Sequence, residues 1–223
     1  MPPRMIRIEG EKMLVFDNRT LTTIVFDIPK KLSSITRWSK WVKRGSEKET
    51  VLEHTFSQAF VTILLCEELK RNNRISDEQA YNALACALVH DIGEMEYGDK
   101  LDYKKTSRDE ERERSFIYQY LSSIDSSLLE AIISIYDVQE GAKRDDDINR
   151  QRVENQIFGL AEKTCYFMYA LRQYQREPKS ENSRDLWYHV FRRQSGGLKQ
   201  RAHNLGLSEK AFPFLGSEEE GER

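Results

Sequence analysis

The sequence predicts a mostly α-helical protein with a small N-terminal β-meander, and three observations carry that prediction. Residue texture changes at Pro29: short β-branched and aromatic segments precede it, and apolar residues recur at helical spacing after it. Helix-start signatures of the form Ser-x-x-Gln and Ser-x-x-Glu stand at Ser76 and Ser107. The 223 residues are 39 % apolar and 32 % charged, with a mean hydropathy of −0.70, a globular, well-solvated composition with room for one domain and extensions.

In chain order, MIRIEG, KMLVF and LTTIVFDI read as strands parted by Glu9-Gly10-Glu11 and Asp17-Asn18, and Pro29 closes the meander. Lys31–Val42 reads as a first helix. Glu49–Arg71 reads as a second, with one stripe of Leu52, Phe56, Ala59, Phe60 and Ile63. A second apolar side, Val51, Val61 and Leu65, holds His54, so this helix is expected between neighbours. Ser76 with Gln79 opens a third helix ending near His90, and Gly93 then permits a sharp exit. Ser107 with Glu110 caps the run RDEERER, read as a solvated helix face. Further helices are expected over Ser126–Gln139, Asn149–Gln175 and Arg184–Gln194, with a polar loop at Lys143–Asp147 and a break at Gly196-Gly197. The resulting division is 1–29 as a β extension, 30–205 as the helical domain and 206–223 as a partly disordered tail.

Bulk properties exclude several functions. No apolar run approaches the roughly 18 residues of a membrane span, and the amino terminus lacks the core of a secretory signal, so a cytoplasmic location is expected. Cys66, Cys86 and Cys165 lie far apart in apolar segments and read as reduced, buried hydrophobes. Net charge is −2, which disfavours nucleic acid as a partner. Locally, Lys30, Lys31, Arg37, Lys40, Lys43 and Arg44 run without an acid and interleave with Trp38 and Trp41, a pattern suited to an anion or a base.

The chemistry concentrates in Ala83–Asp99, ALACALVHDIGEMEYGD, where a core-like run ends in His90-Asp91. A histidine beside a carboxylate at a buried helix end is costly unless both are satisfied. Convergence of His54, His90 and Asp91 on one divalent cation would satisfy them. Two imidazoles and a carboxylate suit zinc, manganese, iron or cobalt better than calcium, and magnesium is not distinguishable. Such a centre activates water and polarises a phosphoryl oxygen. His189 and His203 have no partner at a meaningful spacing and read as structural or exposed.

Arg37-Trp38, EHTFSQAF from Glu53, HDIGEMEYGD from His90 and AEKT from Ala161 together resemble the HD-domain metal-dependent phosphohydrolases, within them the bacterial 5′-deoxynucleotidase branch. The resemblance spans roughly Leu32 to Gln175 and implies an HD-domain-like helical bundle. It implies His54, His90 and Asp91 as metal ligands. The branch's further aspartate ligand matches Glu162, a departure that makes Glu162 a ligand or a neighbouring acid. It implies Glu94 and Asp99 as catalytic acids, Arg37 and Trp38 as phosphate and deoxyribose contacts, and Lys105, by a looser match, as a phosphate contact. A homodimer is also implied.

Ester hydrolysis needs a proton source and counter-charge for phosphoryl oxygens. The Arg37 fork suits the latter, and Glu94 and Asp99 remain equal candidates for the proton. Taken singly, both acids could be solvated loop residues and Trp38 a core anchor. The function the resemblance implies is removal of phosphate from deoxynucleoside 5′-monophosphates. The alternatives are triphosphate release from deoxynucleoside triphosphates and a catalytically silent nucleotide-binding protein. Guanosine tetraphosphate hydrolysis is disfavoured, because Met95 follows Glu94 where the proteins that perform it usually carry Glu-Asp.

Overall fold

The computed structural model describes residues 6–8, 11–13, 18–38, 48–99, 105–122, 133, 152–208 and 211–212. Ile6–Ile8 (β1) and Glu11–Met13 (β2) pair antiparallel, with Ile6 opposite Met13 and Ile8 opposite Glu11. The third segment expected in a meander is helical instead. It forms Asn18–Thr22 (α1), a π-helical turn Thr23–Asp27, and Ile28–Ser34 (α2). β propensity is overridden by context here, and Pro29 opens α2 in the first turn, where its missing N–H costs nothing.

The helix expected to run to Val42 stops at Ser34. Ile35 is extended (φ −96°, ψ 120°), and Thr36 bridges antiparallel to Thr50. Arg37 N–H donates to Glu49 O at 2.8 Å, and Val51 N–H to Ile35 O at 3.0 Å. These bonds pin Arg37 and Trp38 beside the start of the next helix. Lys40, Trp41, Lys43 and Arg44 lie outside the described residues.

Val51–Arg71 (α3) is opened by a capping box in which Thr50 and Glu53 satisfy each other's backbone N–H. Its buried side carries His54, Gln58 and Thr62, whereas Phe56, Phe60 and Ile63 of the expected stripe are exposed. Asp77–Val89 (α4) opens on the expected Ser76–Gln79 box and ends at His90. Gly93 has a helical φ of −60° and makes no left-handed exit; Gly98 does, at φ 72°, after the short helix Glu94–Tyr97 (α5).

Ser107–Ser122 (α6) is capped one residue earlier than expected, by Thr106 with Asp109. The expected helix over Ser126–Gln139 falls largely outside the described residues, and the Lys143–Asp147 loop wholly so. Val153–Arg176 (α7) and Glu181–Asn204 (α8) complete the bundle. α7 packs against α3, α4 and α8, and α3 against α4. The core between them is built on Leu69, Ile157, Leu160, Phe167, Leu186 and Leu198. α8 runs straight through Gly196-Gly197, which do not break it. It ends in a Schellman motif: Leu207 N–H donates to Ala202 O, and Gly206 N–H to His203 O, with Gly206 at φ 65°.

Phe212 packs into the core, so the chain remains attached beyond Gly206, while the SEEEGER tail lies outside the described residues. All three cysteines are buried, and none is in a disulfide. Burial pushes the thiols of Cys66 and Cys165 up to about 11 and about 12. Among the described residues no helix is long and apolar enough to cross a membrane.

An ideal Cβ at the exposed Gly196 would meet nothing within 4 Å. Gly196→Ala is therefore expected to stabilise the protein by about 0.5–1 kcal/mol. Thermal unfolding checks this, at about 2–4 °C per kcal/mol for a chain of this size.

Candidate metal centre

Three elements deliver the candidate ligands. His54 stands in the first turn of α3, four residues after Thr50, whose carbonyl accepts the His54 N–H at 3.0 Å. His90 caps the end of α4, and Asp91 begins the turn that follows. Their side-chain donor atoms all lie within 4.8 Å of one another, and all three residues are buried. His90 Nε2 is 3.1 Å and His54 Nε2 is 4.0 Å from Asp91 Oδ2.

Hydrogen bonding tests whether this set fits a cation. His90 Nδ1 lies 3.0 Å from Ala87 O. A carbonyl can only accept, so Nδ1 carries a proton, which leaves Nε2 as the nitrogen able to offer a lone pair to a cation. Nε2 faces the Asp91 carboxylate, and neither Nε2 nor Asp91 Oδ2 has a hydrogen-bond partner. Both nitrogens of His54 are likewise unpartnered at 0 % exposure. Burial, and next to it the Arg37 guanidinium, holds His54 well below the ordinary imidazole value, so it is neutral. Burial alone would raise Asp91, but His90, His54 and Arg37 hold it well below the usual carboxylate range. Two imidazoles and one carboxylate, with both His54 nitrogens, His90 Nε2 and Asp91 Oδ2 unpartnered, fit a divalent transition metal.

A second layer of charge surrounds this centre. Arg37 Nη1 donates to Glu49 Oε2 at 3.2 Å, and its Nε lies 3.8 Å from Asp99 Oδ1 without a hydrogen bond. Burial opposes the Arg37 charge, but Tyr166, Glu49, Asp91 and Asp99 outweigh it and fix it more firmly. Trp38 adopts φ 59°, a strained value for a bulky residue. Its N–H donates to Asp99 Oδ2 at 3.1 Å and its Nε1–H to Glu49 Oε2 at 3.1 Å. The indole stacks on Tyr169 and meets Tyr166 edge-on, while Tyr166 stacks on His54. Trp38 is thus buried in the core and also adjoins the centre.

Glu94 is buried, not a solvated loop acid, and Oε2 has no partner. Burial, then Asp91 and Asp99, pushes it well above the ordinary carboxylate value. Asp99 is also raised by burial, against the pull of Arg37 and the Trp38 N–H. Lys105 Nζ stands 3.5 Å from Glu94 Oε1 and 3.1 Å from Glu113 Oε2.

Glu162 is not among the clustered donors; it accepts the Tyr166 hydroxyl at 2.8 Å. It lies on α7 one turn from Phe158, which touches His90, and one turn from Tyr166, which touches His54. Sequence reasoning missed Glu49 and Glu113. The first is separated from α3 by only its capping threonine. The second precedes Ile117 by four residues, on the side of α6 that faces the core.

Fold and site together define a helical bundle with a buried His-His-Asp centre suited to a divalent metal. The family model of the HD domain matches residues 30–184, and the chain belongs to that family. No curated protein matches the sequence. Among solved structures, a conserved hypothetical protein from Pyrococcus furiosus is similar, with 24 % identity and a TM-score of 0.54 over 80 % of this chain and 99 % of that one. A predicted metal-dependent phosphohydrolase from Magnetospirillum magnetotacticum MS-1 is 17 % identical, with a TM-score of 0.46 over 85 % of this chain and 97 % of that one.

Proposed function

We propose that the protein is a metal-dependent phosphohydrolase that removes phosphate from deoxynucleoside 5′-monophosphates. One observation carries the phosphate reading: the buried Arg37 guanidinium beside the His-His-Asp centre, its Nε without a hydrogen-bond partner. An unpartnered buried donor of that kind suits a phosphoryl oxygen. His54, His90 and Asp91 would hold the divalent ion, with Glu162 as fourth ligand or neighbouring acid. When bound, that ion supplies Lewis-acid activation of water and of the phosphoryl group.

The remaining work belongs to the chain. Arg37 and Lys105 bind phosphoryl oxygens and offset the charge that develops on them. Glu94, which burial and its neighbouring acids hold above the ordinary carboxylate value, is the group suited to deliver a proton to the leaving sugar oxygen. Asp99 is engaged by the Trp38 N–H and sits against Arg37, a geometry that supports a role in holding that pair. The indole of Trp38, backed by Tyr166 and Tyr169, offers an apolar wall to a sugar lacking its 2′-hydroxyl.

Triphosphate release from deoxynucleoside triphosphates would use the same residues. The position of Glu162, bonded to Tyr166 and outside the cluster, favours a third reading, a nucleotide-binding protein without turnover. The family resemblance supports a cytoplasmic homodimer, with the exposed Phe56, Phe60 and Ile63 of α3 as an apolar face that a second copy could cover.

Product analysis tests these readings. Metal-stripped protein reloaded with manganese or cobalt is incubated with deoxy- and ribonucleoside mono- and triphosphates. Nucleoside and phosphate from the deoxy-monophosphates are expected. Triphosphate as product would move the protein to the second reading, and tight binding without product to the third.

A further inference from the structure

We propose that Glu113 is a positioning residue that anchors Lys105 for phosphate, an inference that rests on the phosphohydrolase reading above. Lys105 stands between two buried carboxylates, and among the described residues it hydrogen-bonds to Glu113 alone, at 3.1 Å; Glu94 is at ion-pair distance, 3.5 Å. Glu113 is 3 % exposed on α6, one turn from Ile117, which packs against Ile92. A carboxylate in that setting is costly unless paired, and the Lys105 ammonium is the partner the structure gives it; its other oxygen, Oε1, has none.

The backbone is shaped to admit this side chain. An ideal Cβ at residue 93 would lie 2.8 Å from Glu113 Cβ and 3.2 Å from its Cγ. Gly93 is required for this close approach, since its φ is ordinary. The glycine therefore lets α6 press Glu113 onto the turn that carries Asp91 and Glu94. A lysine is otherwise a point charge on a flexible four-carbon stem. Held by Glu113, it keeps Nζ between two acids without closing onto Glu94. An ammonium has three donors, so one that serves Glu113 leaves the group able to bind a phosphoryl oxygen as well.

The test measures inorganic phosphate affinity of the manganese-loaded protein by titration calorimetry, with Glu113→Gln, Lys105→Met and the double variant. Glu113→Gln is expected to weaken phosphate binding about 10–100-fold, the scale of misplacing a binding group. It should raise KM for the phosphate ester more than it lowers kcat, with manganese content unchanged. Acting through Lys105, it should add nothing to Lys105→Met in the double variant. Should Glu113→Gln not fold, Glu113→Asp keeps the charge, draws Nζ back by about one C–C bond, and should show the same loss in smaller measure. Wild-type affinity in the glutamine or aspartate variant, or additive losses in the double variant, would overturn the inference alone. A wild-type protein that neither binds phosphate nor hydrolyses any ester would overturn the phosphohydrolase reading, and this role with it.

Discussion

Replacing His90 with alanine is expected to reduce both bound metal and hydrolysis to background, a loss of more than about 10³-fold in rate for a metal-dependent reaction. His90 is the candidate ligand whose ring orientation the structure fixes, with Nδ1 at 3.0 Å from Ala87 O and Nε2 at 3.1 Å from Asp91 Oδ2. Its removal leaves His54 and Asp91, two donors where at least three are needed. The helix should survive, because the backbone bond from His90 N–H to Cys86 O does not depend on the side chain. The ring's contacts, with His54 at 5.7 Å and Phe158 at 5.2 Å, would become a small void. Circular dichroism with metal analysis separates the cases. A folded, metal-free, inactive variant is the expected result, whereas a folded variant that still hydrolyses would end the metal mechanism.

How much of this was legible depends on what decides each feature. His54, His90 and Asp91 were readable because their types are expensive at apolar helix positions, whatever the fold. The Ser76 box was readable because its bonds are local. α3 was misread on its exposed side: Phe56 and Phe60 are apolar yet exposed, while the buried side carries His54, Gln58 and Thr62, so the apolar stripe does not mark the face that packs. The stop at Ser34 depends on Thr36 pairing with Thr50, a partner fourteen residues on in the chain. Leu21–Ile28 has strand-like composition, and its helical state is set by context that propensity does not encode. Glu113 looked solvated within a charged run because nothing in that run marks Lys105 as its partner across the fold. Arg37 and Trp38 came from resemblance, and the carboxylates that brace them, Glu49 and Asp99, reach them only through tertiary contact.

Glu94→Gln should divide activity from stability. Burial, Asp91 and Asp99 raise the Glu94 pKa in the folded protein above its unfolded value of about 4.3. A raised carboxyl contributes stability that is fully present below the unfolded value and is lost as pH rises through the folded one. The wild-type, metal-free protein therefore loses that contribution progressively as pH rises above the unfolded value. Glutamine matches the neutral carboxyl in shape, keeps a donor and cannot ionise. The variant should melt higher than wild type above about pH 5, by about 2–4 °C for each kcal/mol recovered, and like wild type below about pH 4. Lys105 keeps its hydrogen bond to Glu113, so the cation is not left unpaired. Bound manganese should narrow the difference, because a nearby cation favours the ionised Glu94 of the wild type. Hydrolysis should fall about 10²–10⁴-fold, the range for loss of a general acid or base, while manganese content stays unchanged. A variant that melts higher and remains active would move the proton to Asp99. One that melts lower at neutral pH would mean that Glu94 is held charged, by Lys105, in the native protein.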